Sequence, residues 1–495
     1  MKKILLLFFA LLLAMVGVLM FNTLTLKSKQ LIAENGKPLT LAIDSSAVQH
    51  LRSAVQINTV SYSDSLKMSE AKPHFDSFID FLKTTYPLVF SSLEDTIING
   101  RNILLKWKGS NPALQPAILY AHMDVVPVEQ NTLTQWKHPA FGGVVADNCI
   151  WGRGTLDDKG SLISIMEALT RSLSNGLKPS RTVFIASGSD EEVGGKTGAA
   201  TIAQYCRINN LHFGFYLDEG MVIAQGVVLK IKKDVALIGT AEKGYVTLEL
   251  TVNLPGGHSS KPQRETALDV LLSAVKNVHD RPFEKMAAPS TQEFIDYLAY
   301  DMPMPAKVVF ANKRLFKGMI LSTYAKTDAG NALVRTTGVT TVMNAGLQDN
   351  VIPTKVSAKI NFRILPGQST ADVVNRVTET INDKRVQILT GERFEPSKTT
   401  SADTWGFKLL QKTSAEVFPD VLVAPSLMLG STDSKHFADL TDATYRFFPI
   451  RLDNEAIGTI HGINERIKIP YFMETIRFYE SLLSNLQTFT PESKK

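Results

Sequence analysis

The sequence predicts an α/β protein: a mixed, mainly parallel sheet that carries the chemistry, interrupted by an inserted α+β unit with an antiparallel sheet. Three observations predict it. Between residues 116 and 219, continuous apolar runs end in acidic or histidine-bearing loops, the pattern of strands buried on both faces. From about residue 243 the runs alternate apolar and polar instead, which marks a sheet with one solvated face. After about residue 395 the first texture returns. The α/β domain is therefore expected to be discontinuous, over 49–242 and 395–490, around an insertion at 243–394. At 495 residues, 44% hydrophobic and 20% charged, the chain can bury a large core and is no disordered, collagen-like or coiled-coil protein.

In chain order, residues 1–21 hold Met1-Lys2-Lys3 and an uninterrupted apolar run from Ile4 to Phe21. At about 1.5 Å per residue such a run covers roughly 27 Å, close to a hydrocarbon core. It reads as a signal-anchor, a single amino-terminal membrane helix with the catalytic domain outside the cytoplasm. The alternative is a cleaved signal peptide and a secreted protein. Residues 22–48 read as a polar tether. Strands follow at Pro116–Ala121, Arg181–Ser187 and Phe213–Leu217, with a helix over 161–173. In the insertion, Tyr245–Val252 and Lys355–Ile364 alternate, and a helix over 371–383 follows Pro366-Gly367. Helices near 407–418 and 471–486 complete the second part of the α/β domain.

Fifty-three basic against 48 acidic residues give a net charge of +5, spread without a basic stripe, so nucleic acid is not an expected partner. Two cysteines, Cys149 and Cys206, exclude a disulfide framework and a cysteine-ligated zinc module; burial as small apolar residues suits them.

Five short motifs carry candidate chemistry. In His122-Met-Asp124, residues two apart at a strand end point the same way, and a carboxylate commonly fixes the tautomer of a metal-binding histidine. Taken alone, a hydrogen-bonded structural histidine accounts for the pair equally well. In Gly152-Arg-Gly-Thr-Leu-Asp157-Asp158, adjacent carboxylates repel unless a cation neutralises them, although either also suits the N-cap of the next helix. Asp190-Glu191-Glu192 follows a buried strand. A solvated acidic turn is one reading; the other is that diverging neighbours serve two tasks, metal binding and general base. Asp218-Glu219 again places acids after a strand, and His461 lies in a polar loop before the last helix. Together, two histidines and several carboxylates form a mixed N/O donor set suited to zinc, and a shared carboxylate could bridge two metals about 3.5–4 Å apart.

In order and spacing, the five motifs resemble the two-zinc metallopeptidase family of aminoacylase, carnosinase and succinyl-diaminopimelate desuccinylase, over about residues 50–490. In texture the chain is similar to the family's carboxypeptidase S and N-fatty-acyl-amino-acid synthase/hydrolase members. The resemblance implies a zinc-exopeptidase-like catalytic domain with an inserted lid and dimerisation domain. It implies two Zn2+ per chain, with Co2+ or Mn2+ as substitutes. His122 and Asp218 would hold one metal, Glu192 and His461 the other, and Asp157 would bridge, through a peptide to Asp158 that is commonly cis in the family. Asp218 rather than Glu219 is the choice because it is the first acid after the strand. Glu191 would be general base and acid, and Asp124 would orient His122. In Gly256-Gly-His258-Ser-Ser260, His258 is similar to the family histidine that steadies the oxyanion, often from a dimer partner, which makes a homodimer through the inserted domain a candidate. Asn350 and Arg363 resemble residues gripping a substrate carboxylate, and Leu429–His436 resembles a pocket loop, with Ser431 in place of an expected glycine. The implied activity is hydrolysis of peptide amide bonds beside a free C-terminal carboxylate, as in carboxypeptidases and dipeptidases. The alternative is N-acyl-amino-acid hydrolysis, and a remote one is a membrane-tethered binding protein that has lost catalysis.

Overall fold

The computed structural model describes residues 2–31, 41–228 and 230–489. Its centre is a ten-stranded mixed sheet. Strands Val183–Ser187, Ala117–Tyr120, Phe215–Asp218 and Thr444–Arg446 lie side by side and parallel. Antiparallel partners flank them: Asn102–Trp107 on one side and Val235–Glu242 on the other. The three strands foreseen between 116 and 217 are buried at every position, which is why their sequences run apolar without alternation.

Helices cover both faces. Lys159–Ser174 and Ile469–Thr488 pack together on one face, with Ser45–Gln56 and Trp405–Val417 beside them. Pro470 in the first turn of the last helix costs no hydrogen bond. The opposite face is covered by Ala199–Ile208, packed through Ile202, Ala203 and Cys206 against Tyr120, Phe184 and Tyr216.

The antiparallel sheet of the inserted region has the order Thr337–Ala345, Lys355–Ile364, Gly244–Asn253, Val386–Phe394. Register places Leu248 opposite Ile360 and Leu250 opposite Ala358, so the two central strands present an apolar face. Helices Ala267–Asp280 and Thr370–Ile381 close that face and form a second core. Each starts with a capping box, Thr266 with Asp269 and Ser369 with Asp372, which satisfies otherwise orphaned backbone donors.

One part of the insertion behaves differently. The helices between Pro289 and Leu333 leave the antiparallel sheet and pack on the main core through Phe294, Ile295, Leu298 and Tyr324. The backbone therefore passes between the two cores at Lys243, at 281–288, at 334–336 and at 395–397.

At the amino terminus, helix Lys2–Leu24 is long and apolar enough to cross a membrane. The stretch expected as a tether is not free where it is described. Asn22 bonds Asn312 at 2.8 Å, and the Gln30 side chain bridges the carbonyls of Tyr297 and Val423. Residues 32–40 of that stretch lie outside the described residues. The body begins at helix Ser45–Gln56, capped by Asp44, with Ala47 and Val48 already in the core.

Candidate active site

The loops after three neighbouring parallel strands meet at one end of the sheet, the usual place for function in such folds. Ala117–Tyr120 delivers His122 and Asp124, Val183–Ser187 delivers Glu191 and Glu192, and Phe215–Asp218 delivers Asp218 and Glu219. The turn before helix Lys159–Ser174 adds Asp157, and the loop before strand Arg466–Lys468 adds His461.

Asp157 sits at the centre. One carboxylate oxygen lies 2.9 Å from His122 Nε2 and the other 2.9 Å from His461 Nε2. His461 Nε2 is also 3.0 Å from Glu192. Ligand atoms of His122, Asp157 and Glu192 lie within 4.8 Å of one another, a group able to hold a metal ion. His461 adopts φ of +58°, a left-handed conformation that side-chain-bearing residues seldom occupy and that functional sites often retain. The peptide between Asp157 and Asp158 is cis.

Electrostatics favour a cation. Burial opposes ionisation of Asp157, yet hydrogen bonds to both histidines hold its carboxyl well below the usual range. Burial and the charge of Asp157 push Glu192 up to about 7. Burial first, then Asp157 and Asp158, raise Glu219 well above the usual carboxylate range. Glu192 Oε1 and both oxygens of Asp158 are buried without a partner, and Asp158 stands at the N-cap of its helix without making a capping bond. Acids crowded this way are stable as anions only beside positive charge, and two imidazoles with several carboxylate oxygens suit zinc.

Asp124 does more than face one histidine. His122 Nδ1 is 3.4 Å from its Oδ1 and 3.0 Å from its backbone carbonyl. Its two carboxylate oxygens also accept the backbone N–H groups of Glu191 and Glu192, each at 3.1 Å. Ser61 donates to Oδ2 at 2.6 Å. One buried carboxylate thus ties two strand ends together.

Asp218, expected to hold a metal with His122, is hydrogen-bonded to other groups. It continues the strand pleat on the side of Tyr216, whose hydroxyl donates to Oδ2 at 3.2 Å, while the Glu219 N–H donates to Oδ1 at 3.0 Å. The charges near it include Glu242 and Arg446, and also Asp158, Glu219 and Asp433. Burial aside, Glu219, one step further along the chain, feels the charges of Asp157 and Asp158, which raise its pKa, and of His122, which opposes them. The strand extends to Asp218 itself, so the first acid past the strand is Glu219.

His258, Asn350 and Arg363 make no hydrogen bond or ion pair to this cluster among the described residues. His258 is exposed and pairs with Val351 in a two-stranded ribbon. The Asn350 carbonyl accepts from the Ser259 N–H at 3.1 Å, so these two loops adjoin. Arg363 lies 4.9 Å over the Tyr245 ring, which stacks on Phe394.

Two supporting residues escaped the sequence reading. Glu465 is fully buried and accepts N–H bonds from Gly154 at 2.9 Å, Leu156 at 2.8 Å and Asp157 at 3.3 Å, beside Arg153 Nη1 at 2.5 Å. Its signal was its place in the His461 loop. Asp433 accepts from Tyr120 at 2.5 Å and helps raise Glu191; its loop resembled a pocket loop, but nothing local gave this residue a role.

A model of peptidase family M20/M25/M40 matches residues 118–485. A carboxypeptidase S-like protein of Dictyostelium discoideum is 37% identical over 487 residues, covering 97% of this chain and 93% of that one. The N-fatty-acyl-amino acid synthase/hydrolase PM20D1 of Xenopus tropicalis is 37% identical over 445 residues, covering 89% and 86%. Among solved structures, the M20 family metallo-carboxypeptidase Sso-CP2 from Sulfolobus solfataricus shares the fold with a TM-score of 0.67 at 18% identity, covering 89% of this chain and 99% of that one. Human carnosine dipeptidase 1 does so with a TM-score of 0.61 at 14% identity, covering 90% and 96%.

Proposed function

The chain belongs to peptidase family M20/M25/M40 and is a metallohydrolase of the carboxypeptidase and dipeptidase type, and from that premise we propose how its residues act. The observation that carries the reading is Asp157, whose two oxygens each face a different histidine at 2.9 Å, the arrangement of a carboxylate shared between two metals. His122, Asp157 and Glu219 would hold one ion, and Asp157, Glu192 and His461 the other. Two Zn2+, or Co2+ or Mn2+, would supply the Lewis acidity that acidifies a water and polarises an amide carbonyl.

Glu191 takes the proton of the attacking water and returns it to the leaving amine. Burial first, with His122 opposing and Asp433 and Glu192 adding, raises its pKa well above the usual value, which suits a group that must hold a proton between two steps. Asp124 fixes Glu191 through its backbone N–H and keeps His122 oriented. Arg363 and Asn350 would receive the substrate's free carboxylate, for which a guanidinium fork is suited. His258 would steady the oxyanion from a second copy of the chain; its exposure and separation from its own chain's cluster support that reading.

A second substrate class has its own support. Similarity to an N-fatty-acyl-amino acid synthase/hydrolase, with an apolar amino-terminal helix that would anchor the enzyme at a membrane, favours N-acyl amino acids, which carry the same free carboxylate. The test is metal content and hydrolysis of a panel of dipeptides and short- and long-chain N-acyl amino acids. Fast cleavage of dipeptides supports the first class. Cleavage confined to N-acyl amino acids replaces it with the second. Metal-free protein without turnover on any member returns the non-catalytic binding reading.

A further inference from the structure

We propose that the helix pair Met304–Ala311 and Lys313–Tyr324 is a second membrane contact, seated in the headgroup region of an anionic bilayer beside the amino-terminal helix. The proposal rests on the reading of helix Lys2–Leu24 as an anchor, and deepens it.

The first observation is continuity. Helix Lys2–Leu24 packs along helix Met304–Ala311. Asn312, at the junction of the pair, donates to the Leu19 carbonyl at 3.1 Å and accepts from Asn22 at 2.8 Å. Leu19 and Asn22 mark the end of the apolar run, the level at which a spanning helix leaves hydrocarbon for headgroups. The junction of the pair is therefore held at that level.

The second observation is the outward surface of helix Lys313–Tyr324. Ile320, Leu321 and Tyr324 face the core. Leu315 and Met319, one helical turn apart, are 63% and 55% exposed, and Met304 on the preceding helix is 52% exposed. These are large apolar side chains facing outward on a helix that has already buried its other face, where a water-facing helix would be polar.

The third observation is charge. No Asp or Glu occurs from Met302 to Thr327, while Lys307, Lys313, Arg314, Lys317 and Lys326 do. Lys313 pairs with Asp296; Arg314, Lys317 and Lys326 have no acidic partner among the described residues. Apolar side chains flanked by unpaired cations fit an interfacial helix on anionic lipid. A protein partner would need its own apolar patch and acids, whereas the bilayer is already held at Asn312.

The test reconstitutes the full chain into phosphatidylcholine vesicles containing phosphatidylglycerol, with a polarity-sensitive dye at Leu315→Cys or at Leu347→Cys. The control site lies at the edge of the inserted sheet and is fully exposed; Cys149 and Cys206 are buried and free. Nitroxide-bearing lipids should quench the dye at 315 at least about threefold more than at 347, as expected for a side chain inserted at the acyl boundary. Arg314→Glu with Lys317→Glu should bring the quenching at 315 down toward the control. Equal quenching at both sites in chains that float with the vesicles overturns the second contact and leaves the anchor standing. Chains that do not float with vesicles overturn the anchor and this proposal together.

Discussion

Replacing Glu465 by glutamine tests whether the loop that carries the shared carboxylate is held from beneath. In the parent, Glu465 Oε1 accepts N–H bonds from Gly154, Leu156 and Asp157, while Oε2 pairs with Arg153 at 2.5 Å. A glutamine carbonyl can keep the first set. Its amide then faces the Arg153 guanidinium donor to donor, and Arg153, 3% exposed, keeps only the Gly462 carbonyl as an acceptor among the described residues. Removing one partner of a buried ion pair costs about 3–5 kcal/mol, so Glu465→Gln should lose that much against urea in metal-free protein. The same substitution loosens Asp157, so zinc affinity should fall about 10–100-fold, the usual effect of losing a residue that orients a ligand. The assay is paired urea unfolding and competitive zinc titration of parent and variant. A stability change below about 1 kcal/mol, the size of one ordinary hydrogen bond, together with unchanged zinc affinity would refute the claim that Glu465 organises the loop.

Three other outcomes are expected. Glu191→Gln should lower kcat about 10²–10⁴-fold, the contribution of a general base, with metal content and melting temperature unchanged; parallel loss of metal would reassign it as a ligand. Stripping the metal with a chelator should lower the melting temperature, and zinc should restore it, because the crowded acids lose their neutralising charge; a melting temperature indifferent to zinc would oppose the site. Lys243 is buried, and its pKa falls from 10.5 to about 7 by desolvation first and Arg363 second. The unfolded chain then holds more protons between these values, so stability should climb as pH rises from 7 toward 10. Urea midpoints should climb more steeply in the parent than in Lys243→Met, and parallel curves would count against the depressed pKa.

The chemistry was legible because the fold concentrates it at strand ends. Apolar runs within 116–121, 181–187 and 213–217 announced strands buried on both faces, and the polar residues following each run could only lie at their carboxyl ends. The choice between Asp218 and Glu219 shows where this stops. Whether an acid belongs to the strand or to the loop after it differs by a single residue, and the pleat turns that residue into an opposite face. The roles of Glu465 and Asp433 were illegible for a different reason, although the loops that carry them stood out. Their role is to accept hydrogen bonds from segments about 300 residues away, and no local pattern distinguishes an acid buried by tertiary contact from one in water. The helices over 289–333 were likewise hidden, because an amphipathic stripe shows that a face is buried but not which of two cores receives it.

The repeated crossing of the backbone between the two cores has a mechanical consequence. A module hung from one connection can swing and twist, whereas one joined by several neighbouring connections is restrained in both. Here the connections also touch: Lys243 Nζ grips the carbonyls of Ala332 and Arg335 at 3.0 and 2.8 Å, and a methyl group on Gly244 would come within 2.5 Å of the Pro396 nitrogen. These contacts tie the inserted sheet to the main core at more than one crossing. The loop bearing His258 therefore sits on a module restrained at several points rather than on one free to swing.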